Sequence, residues 1–444
     1  MFQTLRIQNF RSILDSGIMD LGRLNLLLGV NNSGKSSVLA TLLMLKQSME
    51  IKGPTTGLVT AGPFVDLGSY FDIMPARPNP GLLQITFSFD PAVRKRMLVL
   101  SSEKESALFG PVADSFDFSF RYDSKMSAAV IGSFTILDSV TGQTMAGVAD
   151  EGKWKISGLP EDLAAHLSFD PTSFFPTLDP AGKKPADESL VDRVVSMSLN
   201  SNLLARNAQR EFERLLYIGP IRERIQRYGI VGTMSSEMGP SGQNLLRILG
   251  RDQGRIVRGR RNLVRVLNEW LESRFGIAKN IRLRNLDRAG TIRALVAQGP
   301  EGKQYINLAG TGSGVHQLIP VVVQTVLTPS RGCLLVEQPE IHLHPDAQST
   351  LADLFLSQIK TGDRQFIIET HSEHLLLRIR RRIAEGSVNP EAIRVFYVEK
   401  KDGWTKIRRL NLTLNGHFDD WPKGFFEEGY AEAMALARAG TKKG

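Results

Sequence analysis

Three features of the sequence predict an α/β fold. An apolar run, Leu24 to Leu28, leads through a glycine-bearing turn into the helical pattern Ser36 to Glu50. Two further apolar runs, Cys333 to Val336 and Gln365 to Ile368, are short enough for parallel strands buried on both faces, and a helix from about Asp346 to Lys360 separates them. The turn itself, Gly29-Val30-Asn31-Asn32-Ser33-Gly34-Lys35-Ser36-Ser37, has the spacing of a phosphate-binding loop. Its glycines let backbone N–H groups curl towards an anion, Lys35 can reach the β/γ-phosphates, and Ser36 can offer its hydroxyl to Mg²⁺. The strand before and the helix after supply the required context, since the positive end of the helix dipole then points at the phosphates. The structural alternative is a Gly-Ser turn that only caps a helix.

Composition narrows the setting. The chain has 444 residues and a formal charge of +9, which suggests an acidic partner such as nucleic acid. Cys333 is the single cysteine, so an internal disulfide and a cysteine zinc hook are excluded. The apolar runs fall far short of the roughly 20 residues of a membrane helix, and Met1 to Phe10 alternates like a strand rather than a signal peptide. A cytoplasmic location without a membrane partner is the expectation.

Taken in order, Leu5 to Phe10 alternates with period two and reads as a strand. Leu83 to Phe89 and Phe116 to Phe120 read as antiparallel strands of a β-rich lobe. The Pro-rich stretch Pro171 to Pro185 reads as a linker or exposed loop. Helical patterning returns at Asn207 to Leu216, followed by a turn-like Tyr217 to Arg222. Residues 247 to 293 are crowded with arginine, and within them Leu263, Val266, Leu267, Trp270 and Leu271 recur at helical spacing. That stretch reads either as a phosphate-backbone contact surface or as a solvated helix face. Ile393 to Glu399 and Thr405 to Leu410 pair as a hairpin, and Phe425 to Ala437 reads as a closing helix.

A phosphate loop needs a carboxylate at the end of a neighbouring buried strand to hold the Mg²⁺ water shell, and Glu337 takes that place after Cys333 to Val336. It opens Glu337-Gln338-Pro339-Glu340-Ile341-His342-Leu343-His344-Pro345, and a later strand delivers Glu369-Thr370-His371. His371 is placed to sense a γ-phosphate or to position water. Together these motifs resemble the ABC-type ATPase heads of the SMC, RecF and OLD group, and especially stand-alone "AAA family ATPases" that end in a short domain of unknown function. Glu337-Gln338-Pro339-Glu340 and Trp421-Pro422-Lys423-Gly424-Phe425-Phe426 carry the latter likeness. The resemblance covers the first 50 residues and about 300 to 430, with a weaker echo at Tyr217 to Tyr228.

The resemblance implies a P-loop NTPase of ABC type with a large β-rich and helical insertion. It divides the chain into core residues 1–60, a β-rich lobe 61–175, a linker and basic helical region 176–300, core residues 301–398 and a C-terminal hairpin and helix 399–444. It places Gly29, Asn32, Ser33, Gly34, Lys35, Ser36 and Ser37 on ATP and Mg²⁺, with Ser36 and Glu337 serving the metal. His371 matches the switch histidine, and Asn9-Phe10-Arg11 matches a motif whose arginine, Arg11, lies near the nucleotide. Ala309 to Gln317 is similar to a degenerate ABC signature that reaches across a dimer, through Ser313, Gly314 and Gln317. A Gly-rich helix cap is the alternative for that segment.

Gln338 stands where most ABC heads carry the catalytic glutamate. An amide cannot accept a proton as a carboxylate does, so hydrolysis is expected to be slow unless Glu340 or His371 takes over or Gln338 orients the water. The pairs His342/His344 and His371/His374 also admit a metal-site reading. Only 46 residues follow Val398, whereas relatives carrying a nuclease append a Toprim domain there, so the resemblance implies a chain that is not itself a nuclease. Two functions follow from different classes. One is a dimeric or higher-oligomeric ATPase in a nucleic-acid-linked process, such as anti-phage defence or DNA repair, working with a separate effector. The other is a nucleotide-gated scaffold that binds ATP with little turnover. A transporter ATPase fits least, given the large insertion between residues 51 and 300.

Overall fold

Strands that are apolar at consecutive positions need cover on both faces, and a parallel sheet between helical layers supplies it. The computed structural model describes residues 1–51, 57–79, 81–90, 114–150, 153–170, 174–175, 177–181, 185, 187–231, 237–251, 263–299 and 301–422. Its principal strands are β1 (Phe2–Phe10), β2 (Leu24–Leu28), β3 (Leu215–Ile218), β4 (Cys333–Glu337), β5 (Gln365–Glu369), β6 (Ile393–Lys401) and β7 (Trp404–Leu410). Five of them lie side by side in the order β3-β4-β5-β2-β6, every neighbouring pair parallel.

Alternate residues of these strands serve two cores. On one face Leu27, Leu215, Leu335, Ile367 and Phe396 pack with helices α1 (Lys35–Glu50) and α2 (Glu188–Glu213). On the other, Leu26, Ile218, Val336, Ile368 and Val395 pack with α3 (Ser313–Leu327), α4 (Pro345–Thr361) and α5 (Glu373–Ala384). Asn25 is the buried polar residue of β2. Its Oδ1 accepts from Gly22 N, and its Nδ2 donates to the carbonyls of Gly22 and Phe366, which fixes the start of β2 against β5.

The expected hairpin is β6 and β7, antiparallel from Val395↔Leu410 to Lys401↔Trp404. Through β7, Ile13–Asp15 and β1 the sheet continues into antiparallel strands Leu83–Phe89, Ser115–Asp123, Ala128–Leu137, Thr144–Asp150 and Lys153–Ser157. The two strands foreseen in this region are thus part of one sheet with the parallel core. Their inward phenylalanines form a cluster with Phe2, Phe175 and Phe212.

Three expectations need correction. Helix α2 begins at Glu188, capped by Asp187, whose Oδ1 accepts from Ser189 N at 3.0 Å, while Leu215 and Leu216 belong to a strand. Serine and asparagine along α2 hide its apolar stripe, whereas Val194, Met197, Leu204, Ala208 and Phe212 show it once their burial is seen. The Pro-rich stretch carries buried Phe174 and Phe175 and a strand, Thr177–Pro180, paired with Leu167–Asp170, so it is packed structure as well as a connection. The arginine-rich stretch is several elements. Leu263, Leu267 and Leu271 are the buried stripe of a helix that turns π-helical at Glu269–Arg274, but Arg282, Arg284 and Arg293 lie on strands Lys279–Asn285 and Ile292–Gln298. Arg255, Arg258, Arg260, Arg261, Lys423 to Phe426 and the expected closing helix lie outside the described residues.

Phe212 is the ring by which α2 grips the aromatic cluster, 5.2 Å from Phe2 and 5.4 Å from Phe87 between centroids. Phe212→Ala is expected to cost about 3–5 kcal/mol, as truncation of a buried aromatic does, and Phe212→Leu less. Denaturant unfolding followed by fluorescence would measure both.

Candidate nucleotide site

The loop Gly29 to Ser37 joins the C-terminal end of β2 to the first turn of α1, and its backbone can only be made with glycine at two points. Gly29 has φ 146° and Gly34 φ 105°, both outside the range of ordinary L-residues. Side chains there would also meet walls built by the distant hairpin. A Cβ on Gly29 would lie 2.0 Å from the Val398 carbonyl, and one on Gly34 would lie 2.4 Å from Thr405 Oγ1. Thr405 is the strut of this arrangement. Its hydroxyl donates to Ser33 O at 2.7 Å and shares a 2.7 Å hydrogen bond with Ser12 Oγ. Asn32 takes a left-handed φ of 61° at the exposed tip, where Ser36 is also exposed, while Ser33 and Ser37 are buried. Lys35 is 3% exposed, and its Nζ donates to the carbonyls of Gly29 and Val30 at 3.0 and 2.7 Å. Burial lowers its pKa, against the pull of Glu369 and Glu340.

The strand order corrects the position given to Glu337. It lies two strands from the loop strand, because β5 runs between β2 and β4. In register Glu337 pairs with Glu369, and Glu369 with Leu27. Alternation puts both carboxyls on the α1 face, continuing the rows of Leu335 and Ile367. Tyr217, on the same face of β3, donates its hydroxyl to Glu337 Oε1 at 2.7 Å. Burial drives the Glu337 pKa up to about 7, with Glu369 adding to the rise and Tyr217 and Arg222 opposing it. Glu369 and Glu340 are also raised by burial.

Beyond β4, Gln338 turns the chain in a left-handed conformation, φ 43°, with its N–H donated to Glu369 O at 2.7 Å. Arg222, 3% exposed, closes the turn from beneath. Its Nη2 donates to Glu337 O at 2.7 Å and to Gln338 O at 3.4 Å, and Gln317 Nε2 returns a bond to Arg222 O at 3.2 Å. Burial lowers the Arg222 pKa to about 10. Glu340 Oε1 accepts from His371 N at 2.6 Å, which fixes the histidine at the end of β5, and the ring is held neutral-leaning by burial and then by Lys35.

The structure therefore brings Gly29 to Ser37, Glu337, Gln338, Glu340 and His371 to one end of the parallel sheet. Gln317 is engaged by Arg222 of its own chain, whereas Ser313 is exposed on the first turn of α3. Gly314 packs where a Cβ would come within 2.9 Å of the His342 carbonyl, so the signature-like segment and the loop after Glu340 form one surface. Arg11 takes φ 52° at the end of β1, beside the Ser12 that bonds Thr405. His342 and His344 are exposed, and His344 caps α4. No group of three or more His, Cys, Asp or Glu side chains that could hold a metal ion occurs among the described residues. Sequence reasoning missed Tyr217, Arg222, Glu369 and Thr405. Only the Tyr217 to Tyr228 echo pointed towards the first two.

A family model described as "AAA ATPase domain" matches residues 1–125 and 259–376, more than half of the chain. The chain belongs to this family. A second model, of a protein family of unknown function (DUF3696), matches residues 388–436 of this AAA ATPase-domain protein. No curated protein matches the sequence. Similar solved structures include an Smc head bound to the C-winged helix domain of ScpA, 14% identical over 93% of this chain and 98% of that one, with a TM-score of 0.44. The SMC head domain from Thermotoga maritima is 13% identical over 93% and 99%, TM-score 0.37. The Smc head domain from Pyrococcus furiosus, bound to the C-terminal domain of ScpA, is 12% identical over 92% and 96%, TM-score 0.41. The family match and the parallel strands around the phosphate-type loop make this an ATPase domain built on an α/β sheet. No helix among the described residues is long and apolar enough to cross a membrane.

The AAA ATPase-domain residues fit a magnesium nucleotide. Glycines at positions that admit no Cβ make the cradle, Lys35 supplies the cation, and Ser36 an exposed hydroxyl. Ser33 Oγ, Glu340 Oε2 and Glu369 Oε2 are buried without partners in this end of the sheet. Thr405→Val keeps the shape but leaves Ser33 O without its donor. It is expected to cost about 1–3 kcal/mol of stability and to weaken ATP binding, read by thermal melting and by fluorescent-nucleotide titration.

Proposed function

We propose that this protein binds ATP with Mg²⁺ on the loop between β2 and α1 and hydrolyses it slowly, as a dimer in which the first turn of α3 from a second copy closes the site. The observation that carries this reading is the convergence of Lys35 and Ser36 with the carboxylates of Glu337, Glu340 and Glu369, in a place where Gln338 stands for a general base. Glu337 serves the Mg²⁺ shell. Gln338, with both backbone groups held by Glu369 and Arg222, presents an amide of fixed origin that orients water and accepts no proton. Ser313, on an exposed helix start, supports the dimer. A second reading, a nucleotide-gated scaffold with little turnover, is favoured by the same Gln338.

Single-turnover hydrolysis, nucleotide binding and particle mass with and without ATP test the reading. Lys35→Ala is expected to abolish ATP binding in a folded protein. Gln338→Glu is expected to speed hydrolysis by about 10²-fold or more, since a missing general base typically forfeits about 10²–10⁴. ATP is expected to raise the mass to a dimer. Fast wild-type turnover that Gln338→Glu does not exceed would reject slow hydrolysis, and an ATP-saturated monomer at micromolar concentration would reject the dimer.

The work to which ATP is put is read as nucleic-acid-linked, as in anti-phage defence or DNA repair, with a separate effector protein. The net charge of +9 and the exposed Arg265, Arg274, Arg282 and Arg284 support it. Arg293 stands apart, because its guanidinium donates to the carbonyls of Gly290 and Gly250 and has a packing role. Charge reversal at Arg282 and Arg284 is expected to weaken binding of a mixed-sequence DNA or RNA and to reduce its salt slope by about one per lost phosphate contact. Unchanged affinity and slope in a filter-binding series would remove this surface.

A further inference from the structure

We propose that Glu369 is a second carboxylate facing the divalent cation of the nucleotide, acting with Glu337 and Ser36; this rests on the ATP reading above. Glu369 ends β5, the strand inserted between the loop strand and the Glu337 strand, so it lies between the two halves of the site. Its register partners are Leu27, two residues before Gly29, and Glu337. Both glutamates point to the α1 face, and side chains directly across two strands lie about 5 Å apart, a spacing that one cation can bridge directly or through water.

Glu369 is buried at this end of the sheet with one of its oxygens unengaged among the described residues. It is 4% exposed, and its Oε2 has no hydrogen-bond partner among the described residues. Among the described residues it makes no ion pair. The Lys35 ammonium donates to the Gly29 and Val30 carbonyls, and the Arg222 guanidinium to the Glu337 and Gln338 carbonyls and to Gln317 Oε1, so neither of these cations is hydrogen-bonded to the Glu369 carboxylate. Burial pushes the Glu369 carboxyl up, and the Ser36 hydroxyl, on the phosphate loop, and then Lys35 oppose the rise. Two buried carboxyls in register, one oxygen free and, among the described residues, no guanidinium or ammonium bonded to either, form an oxygen pair that a hard cation could engage from both sides. Magnesium is suited to such a place, taking one or two carboxylates together with phosphate oxygens and water.

The experiment uses the full chain, ATP, and Mg²⁺ or Mn²⁺. Nucleotide affinity is titrated against Mg²⁺, and Mn²⁺ bound to the nucleotide-saturated protein is counted by electron paramagnetic resonance. Glu369→Gln is expected to raise the Mg²⁺ concentration needed for half-maximal binding about tenfold or more and to weaken Mn²⁺ binding alike, while metal-free ATP is still bound, no more weakly than by wild type. Glu369→Asp, which keeps the carboxylate on a shorter side chain, is expected to recover part of the metal dependence. Wild-type Mg²⁺ and Mn²⁺ dependence in Glu369→Gln would overturn the proposal, as would a folded variant that loses metal-free ATP binding, since Glu369 would then be shaping the loop. Failure of the wild-type protein itself to bind ATP would instead overturn the parent reading.

Discussion

The site depends on one constraint of strand order: β5 runs between the loop strand and the Glu337 strand. Had β2 and β4 been neighbours, the loop and a single carboxylate would have faced each other with nothing between. With β5 inserted, the C-terminal edge of the sheet presents a row on the α1 face, with Tyr217, Glu337 and Glu369 following the rows of Leu215, Leu335 and Ile367. Each member of that row sits where it does because a period-two alternation, fixed by two hydrophobic cores, leaves it no other face. The chemistry is thus an extension of the packing by one residue per strand.

A price in conformational energy accompanies this arrangement. The chain leaves β4 through a left-handed Gln338, a conformation that costs a non-glycine residue about 1–2 kcal/mol. Arg222 bonds the carbonyls of both Glu337 and Gln338 and the Gln338 N–H is held by Glu369, so the turn is over-determined from two sides. Burial of Glu337, Glu340 and Glu369 works against the charged form of each. A protein optimised for stability alone would not keep three such carboxyls beside a lysine that bonds only its own loop.

What could be read from the sequence was local. The loop, its strand and its helix are contiguous, and the apolar runs of β4 and β5 announce two-sided burial without knowledge of their neighbours. The hairpin of β6 and β7 was equally plain, since Ile393 to Glu399 and Thr405 to Leu410 pair across a short turn. What stayed hidden was non-local. No pattern in the sequence says that Glu369 rather than Glu337 ends the strand beside β2, that Tyr217 reaches Glu337 120 positions away, or that Arg222 will be buried under a turn 115 positions later. Helix α2 was misjudged for a different reason: its serines and asparagines favour caps and turns in isolation, and the tertiary burial of Val194 to Phe212 overrides them. The bond of Gln317 to the buried Arg222, 95 positions earlier, is again non-local, and no local motif announces it.

The contact of Thr405 and Val398 with the phosphate loop has a consequence for the order of events in synthesis. Gly29 to Ser37 leave the ribosome early, followed by α1, yet the walls against which the loop is moulded are made about 370 residues later, as the Thr405 to Ser33 bond spans 372 positions. The strands on either side of β2, β5 and β6, are also late arrivals. A nascent chain therefore carries every residue of its loop through about 370 residues of synthesis without the surfaces that give the loop its shape, and its apolar Leu24 to Leu28 strand waits with both edges open. Such an order of emergence favours slow maturation and a need for protection of that strand until residues 365 to 405 are made.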